Sequence, residues 1–320
     1  MTASDLQKAY DEASETVLRL AENVTPGEMT RHHVTSEGAD TPAIEIRHDV
    51  SGQQYMNMVR RAKKYITEGD IFQANLSLRL SAHIGDTDPW QLYLTLREIN
   101  PSPFAGYLDF GEYVIASSSP ERLVRVKDGE IDTRPIAGTR PRGESAGEDD
   151  RIRKDLLLNE KERAEHIMLI DLERNDLGRV CDYGSVSVDE LMITEDYSHV
   201  MHIVSNVRGR LAKGKDMLDA IRAAFPGGTI TGVPKVHCME IIDEIEDLRR
   251  GPYTGSFGYM GYSGNMDMNI VIRTFTIKNR IATVQAGAGI VADSDPEHEY
   301  REALKKAEAL IRTLEKAVQT

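Results

Sequence analysis

Cysteine is almost missing from this chain: its 320 residues hold two, Cys181 and Cys238, far apart and without metal-ligand spacing. That count excludes a disulfide framework and a thiolate metal site, and it fits a reducing cytoplasm. Basic charge is also in deficit. Against 52 Asp+Glu stand 39 Lys+Arg, a formal net charge of −13. Arg140 and Arg142 are a local pair rather than a stripe, so no nucleic-acid partner is expected. Acidity of this size suits a soluble protein, and a salt-tolerant source. Long apolar runs are lacking too. No stretch approaches a membrane span. The opening MTASDLQKAYDEASETVLRL has neither the basic start nor the apolar run of a signal peptide. There is no internal repeat.

What is present suffices for a sizeable core, since 40% of the residues are hydrophobic. Leu6, Ala9, Ala13, Val17 and Leu20 keep helical rhythm and predict a helix over 5–23. Residues 24–50, with Pro26, Gly27, Gly38 and Pro42, read as polar and irregular. The spacing of Tyr55, Met58, Val59, Ala62 and Ile66 predicts a helix over 51–67, with Ser51 as N-cap. Strands are predicted at 71–81, 104–110, 113–117, 123–127 and 130–135, and a second strand-rich block from 255 to 290 with a hairpin at 263–265. One long charged helix is predicted at 147–170 and a last helix at 296–317. Strands and helices are grouped rather than alternating, so the fold class is α+β. The expected organisation is an N-terminal helix and linker over 1–50 and one catalytic domain over 51–320.

Two pairs of glutamates share one spacing: Glu162 and Glu165, then Glu299 and Glu302. Three residues apart on a helix, both carboxylates of a pair lie on one face. Two such faces brought together can hold a hard divalent cation, with Mg²⁺ the natural candidate; the plain alternative is a pair of solvated acidic helices. Phe225-Pro226-Gly227-Gly228-Thr229-Ile230-Thr231-Gly232-Val233-Pro234-Lys235 precedes a helix starting near Val236 and suits an anionic ligand, though it is not a P-loop. Gln285-Ala286-Gly287-Ala288-Gly289-Ile290 allows close approach to backbone, by a ligand or by tight packing. Arg134–Gly143 ends a strand and turns sharply, with the Thr139 hydroxyl at the turn.

Nine segments in order carry a resemblance over about residues 51–317: GDIFQANLS, SSSPERLV, RPIAGTRPRG, NEKERAEHIMLIDLERNDLGRV, YSHVMHIVSNVRG, FPGGTITGVPK, RRGPYTGSFGY, MDMNIVIRT and QAGAGIVADSDPEHEYREALKKA. The chain resembles the chorismate-utilising enzymes, in particular the synthase subunits of anthranilate synthase and aminodeoxychorismate synthase. The resemblance implies the chorismate-binding fold, large β-sheets flanked by helices with a shortened N-terminal part. It implies that Glu165 and Glu302 ligate Mg²⁺ and that Glu162 and Glu299 hold metal-bound water. Glu121 matches the general acid that protonates the departing C4 hydroxyl, which requires a raised pKa. Tyr253 and Arg273 match residues gripping the enolpyruvyl carboxylate, with Gly287 and Gly289 as backbone contacts to it. Thr229 and Thr139 match substrate-side hydroxyls, and Ala137, in the same motif as Thr139, is a further substrate-binding position. His202 matches a histidine of the later pyruvate-eliminating proton chemistry.

Gln73 stands where water-adding relatives place a lysine base, and an amide is no base. An ammonia-using enzyme is therefore expected, rather than isochorismate or salicylate synthesis. Ala137 stands where many aminodeoxychorismate synthases carry a lysine nucleophile; taken alone this favours anthranilate synthesis. FQANLS, SSSPERL, FPGGTITG, PYTGSFGY and MDMNIVIRT favour the aminodeoxychorismate synthases. The expectation is Mg²⁺-dependent amination of chorismate to 4-amino-4-deoxychorismate, on the para-aminobenzoate and folate route. Anthranilate synthase component I of the tryptophan pathway is the alternative, and a non-catalytic scaffold binding chorismate or a glutaminase is the alternative of another class. Neither cysteine has a glutaminase context, so ammonia would come from a glutamine amidotransferase subunit. Family members carry more chain before the matched region, which implies a short form here or a partner that supplies the missing layer.

Overall fold

The computed structural model describes residues 3–23, 44–143, 145–196 and 200–318. The chain divides into two units, Met1–Thr41 with Thr320, and Pro42–Gln319. In the first the described element is the helix α1 (Ala3–Asn23), in agreement with the periodicity of its sequence.

The second unit carries the other elements. Its helices are α2 (Gly52–Glu68), α3 (Pro89–Ile99), α4 (Ala146–Leu158), α5 (Glu160–Gly178), α6 (Met217–Ala224), α7 (Lys235–Ile245) and α8 (Pro296–Val318). Its strands are β1 (Ile46–His48), β2 (Gln73–His83), β3 (Phe104–Asp109), β4 (Val114–Ser119), β5 (Arg122–Lys127), β6 (Glu130–Thr133), β7 (Ile136–Pro141), β8 (Ser187–Asp196), β9 (Val200–Arg210), β10 (Gly232–Val233), β11 (Gly258–Met260), β12 (Met266–Asn269), β13 (Thr274–Lys278) and β14 (Ile281–Ile290). They form two antiparallel sheets. One runs β1-β2-β14-β13-β4-β3 with β10 also on β2; the other runs β11-β12-β5-β6-β9-β7 with β8 also on β9. This is the α+β architecture expected of the chorismate-binding fold.

The strand β2 explains where the site lies. Its sequence alternates strictly: Gln73, Asn75, Ser77, Arg79 and Ser81 on one face, Ala74, Leu76, Leu78, Leu80 and Ala82 on the other. Alternation normally marks a strand with one wet face. Here the polar face is buried as well, apart from Arg79, which is only partly covered. The apolar face packs into a core with α2, α7 and α8, where burial of each leucine contributes about 1.5–3 kcal/mol. The polar face therefore looks into a polar interior. Its neighbour β14 continues that face, with Gly289 opposite Asn75 and Gly287 opposite Ser77.

Several elements depart from expectation. Residues 46–48, in the stretch that reads as irregular, pair with β2 as β1. The long helix predicted over 147–170 is two helices. Asn159 adopts an extended backbone and its side chain accepts from the Glu162 amide, so α5 restarts there. The sharp turn predicted near Thr139 is instead an irregularity inside β7, at Gly138 with φ 62°, while the strand goes on to Pro141. Ser51 caps α2 as expected, in a capping box with Gln54.

Candidate active site

Glu121 lies in the short link between β4 and β5. The link is pinned by the Ser119 hydroxyl donating to the Ile270 carbonyl at 2.6 Å and by the Ile270 amide donating to the Glu121 carbonyl at 3.0 Å. The Glu121 carboxyl is buried, and Thr229 Oγ1 donates to its Oε1 at 2.9 Å. Burial lifts its pKa from the ordinary 4.5 to about 7; the Thr229 hydroxyl, the charge of Lys306 and the Ile136 amide pull it back part of the way. A proton is thus available at neutral pH, the condition that acid catalysis by this residue requires. Thr229 comes from a single 3₁₀ turn, Gly228–Ile230, and its carbonyl accepts from Asn75 Nδ2 at 3.1 Å.

One glutamate of each pair comes to the same stretch of β14, Glu165 directly and Glu302 through Lys306. Gln73 Nε2 donates to Glu165 Oε1 at 3.2 Å, and a Cβ at Gly289 would collide with the Gln73 amide and lie 3.3 Å from that same Glu165 oxygen. Two residues along, Lys306 Nζ donates to the Gly287 carbonyl at 3.1 Å and pairs with Glu302 Oε1 at 2.8 Å. A Cβ at Gly287 would collide with the Leu76 carbonyl oxygen, so both glycines are required by close neighbours. On α8 the side chains of His298, Glu299 and Glu302 bring ligand atoms within 4.8 Å of one another; Glu162 and Glu165 are not in that group. Glu162 Oε1 pairs with Arg140 Nη1 at 2.6 Å, while its Oε2 is buried without a hydrogen-bond partner among the described residues. The carboxylate oxygens of Glu299 and Glu302 are of the kind that suits a hard divalent cation, while the unsatisfied Glu162 oxygen lies beside Gly138 and outside that group.

Tyr253, Arg273 and His202 form a third group. Arg273 takes the left-handed conformation at φ 53°, costly for a bulky residue by about 1–3 kcal/mol. Arg273 Nη1 donates to the Lys306 carbonyl at 2.6 Å, its charge bears on both Tyr253 and His202, and burial lowers its pKa. Tyr253 is pushed up to about 12 by burial. His202, on β9, is buried, which drops its pKa to about 4; its ring donates to the Gly138 carbonyl. It is a neutral imidazole at neutral pH, with one nitrogen able to accept a proton. Ala137 is buried in β7 opposite Ile203. Thr139 faces His202 across the ladder, but its side chain lies outside the described residues.

Sequence reading passed over four groups. Lys306 follows Glu302 by one helical turn, a spacing visible in the sequence. Asn75 is a polar residue in register with Gln73 on β2. Arg250 is a largely covered hub, its side chain 14% exposed. It pairs with Glu246 at 2.8 Å, donates to the Ile230 and Asn75 carbonyls at 2.8 and 2.6 Å, and sits 5.6 Å from the Tyr253 ring centre. Glu173 is buried, its pKa raised to about 8 by desolvation and then by Asp176, whose own carboxylate pairs with Lys235 at 2.5 Å.

The model of the family described as chorismate binding enzyme matches residues 2–312. The chain is 55% identical over 269 residues to anthranilate synthase component 1 of Thermus thermophilus, covering 84% of this chain and 58% of that relative. It is 56% identical over 261 residues to aminodeoxychorismate synthase component 1 of Bacillus subtilis, covering 82% of this chain and 55% of that one. Among solved structures it is similar to anthranilate synthase component I from Streptococcus pneumoniae, with a TM-score of 0.79 and 39% identity over 98% of this chain and 67% of the other. The chain spans a little over half the length of the two curated relatives.

Proposed function

The chain belongs to the family of chorismate binding enzymes, and on that premise we propose that it aminates chorismate, with 4-amino-4-deoxychorismate as the product. The observation that carries this reading is Glu121, a buried carboxyl with a pKa lifted to about 7 and a hydroxyl fixed on one oxygen. The C4–O bond of chorismate breaks as Glu121 gives its proton to the departing hydroxyl, which leaves as water. A C–N bond forms to ammonia, and the nitrogen sheds one proton, which balances the one Glu121 gave. Arg273 and Tyr253 bind the enolpyruvyl carboxylate, the guanidinium supplying the charge. Glu165 and Glu302, supported by Glu162 and Glu299, would hold Mg²⁺, which when bound neutralises the ring carboxylate of the substrate. Lys306 pairs with Glu302 and donates to the Gly287 carbonyl at that end of the pocket. Ammonia would be delivered by a separate glutamine amidotransferase subunit, in keeping with the "component 1" names of both relatives.

Two observations favour the second reading, anthranilate synthesis. The position of Ala137 holds no nucleophile, and neutral His202 can take a proton during loss of pyruvate. Incubation with chorismate, Mg²⁺ and ¹⁵N-ammonium separates the two by product mass. A labelled product that keeps its enolpyruvyl group and carries the nitrogen at C4 by NMR supports C4 amination. A labelled product formed with release of pyruvate supports anthranilate, and an unlabelled product overturns amination altogether.

A further inference from the structure

The two glutamate pairs are held differently. On α8, His298, Glu299 and Glu302 bring ligand atoms within 4.8 Å of one another, and Glu162 stays outside that group. It is engaged on β7 instead. Arg140 Nη1 pairs with Glu162 Oε1 at 2.6 Å, and the other oxygen, Oε2, lies where a Cβ at Gly138 would strike it. The left-handed backbone of this glycine, φ 62°, gives the carboxylate its room. Oε2 is buried, with no hydrogen-bond donor among the described residues. The pair is largely covered, Glu162 being 18% exposed, so water and salt screen it less than a surface pair. Arg140 has a second carboxylate within reach, since its Nε lies 3.6 Å from Asp155 Oδ2 on α4. Glu162 can therefore leave Arg140 without stranding a bare charge on β7.

We propose that Arg140 is a positioning residue that competes with the divalent cation for Glu162: its guanidinium keeps this carboxylate on β7, and Glu162 must leave Arg140 before it can join the α8 group. The proposal rests on the reading of the four glutamates as a Mg²⁺ site. A carboxylate clamped by a guanidinium has its charge neutralised and its direction set. Service to a hard cation, directly or through bound water, needs the same charge turned toward α8. Arg140 thus sets how tightly the cation is held. Lys306 does not play this part for Glu302, because Glu302 remains in the α8 group while it pairs with Lys306.

Binding of Mn²⁺, used in place of Mg²⁺ and followed by loss of its free-ion electron paramagnetic resonance signal, tests this in the full chain without chorismate. The proteins are the unmodified chain, Arg140→Gln and Arg140→Lys, each with and without Glu162→Gln, and thermal melting confirms folding. Arg140→Gln frees Glu162 and is expected to tighten Mn²⁺ binding about 3–10-fold. Arg140→Lys keeps the charge but loses the fork that reaches Glu162 and Asp155 together, so it tightens binding about 2–3-fold. Both gains are expected to vanish when Glu162 is already Gln. Arg140→Lys decides alone if Arg140→Gln fails to fold. Unchanged or weaker binding in the two single variants overturns the proposal and leaves the Mg²⁺ reading standing. So does a gain in Arg140→Gln without one in Arg140→Lys, or a gain that persists beside Glu162→Gln, since loss of a positive charge then explains it. An unmodified chain that binds no Mn²⁺ overturns both.

Discussion

The Thr229 hydroxyl donates to Glu121 Oε1 at 2.9 Å, in a pocket where that carboxyl is buried. The two influences oppose one another. The bond favours the carboxylate and burial favours the acid. Burial wins, and the result is a group near pKa 7 rather than one locked in either state. The 3₁₀ turn that carries Thr229 is held in turn by Asn75 and Arg250, so the acidity of Glu121 depends on residues from three separate segments.

The metal assignment is tested by Glu165→Gln and Glu302→Gln. Each removes one negative charge from the cation site, and each is expected to abolish Mg²⁺-stimulated chorismate turnover while the circular dichroism spectrum stays that of the unmodified chain. Chelation of Mg²⁺ in the unmodified chain should have the same effect. Full activity of Glu302→Gln at limiting Mg²⁺ contradicts the assignment.

The nitrogen source gives a second outcome. The isolated chain is expected to use ammonium salts and to ignore glutamine, because neither Cys181 nor Cys238 is poised as a nucleophile. Burial pushes their thiols up to about 11 and about 12. Glutamine-dependent turnover without an added amidotransferase contradicts this.

Much of the site was legible because its residues fall in ordered sequence segments; the tertiary couplings were not. Helical spacing in the sequence paired Glu162 with Glu165 and Glu299 with Glu302, and the glycines of β14 were readable as a close approach. What they approach was not readable. The Gln73 amide and Asn75 fill the space beside Gly289 and Gly287 only because β2 pairs with β14 across some 200 positions. Arg250 looks like a surface arginine in Arg249-Arg250-Gly251, and its burial depends on the Ile230 and Asn75 carbonyls, which no local pattern announces. The break at Asn159 was a local signal overlooked. A capping residue inside a charged helical run restarts the helix whenever its side chain can reach the third amide onward.

Arg250→Met should destabilise the fold by about 3–5 kcal/mol, because it leaves the Glu246 carboxylate, 5% exposed, without its countercharge. Denaturant unfolding measures the loss. Adding Glu246→Gln to Arg250→Met should restore part of it. A single variant as stable as the unmodified chain would show that the pair is not a hub.

Stability should also depend on pH in a definite sense. Glu121 and Glu173 have folded pKa values near 7 and 8 against an ordinary 4.5, so the folded state binds more protons than the unfolded one between those limits, and stability falls as pH rises there. His166 and His202 act oppositely, with folded values near 4 against 6.5, but only below 6.5. From 6.5 to 8 the carboxyls act unopposed, and the unfolding free energy is expected to decline. Removing one of them, in Glu173→Gln, should flatten that decline; an unchanged slope contradicts the assignment.

The most direct test of the account is the pH dependence of kcat for chorismate consumption in the unmodified chain and in Glu121→Gln, at saturating ammonium and Mg²⁺. The account predicts a rate that falls as pH rises through about 7 in the unmodified chain, as Glu121 loses its proton. In Glu121→Gln it predicts a rate lower by about 10²–10⁴-fold, without that limb. Equal rates with the same profile in both would contradict the claim that Glu121 is the proton donor.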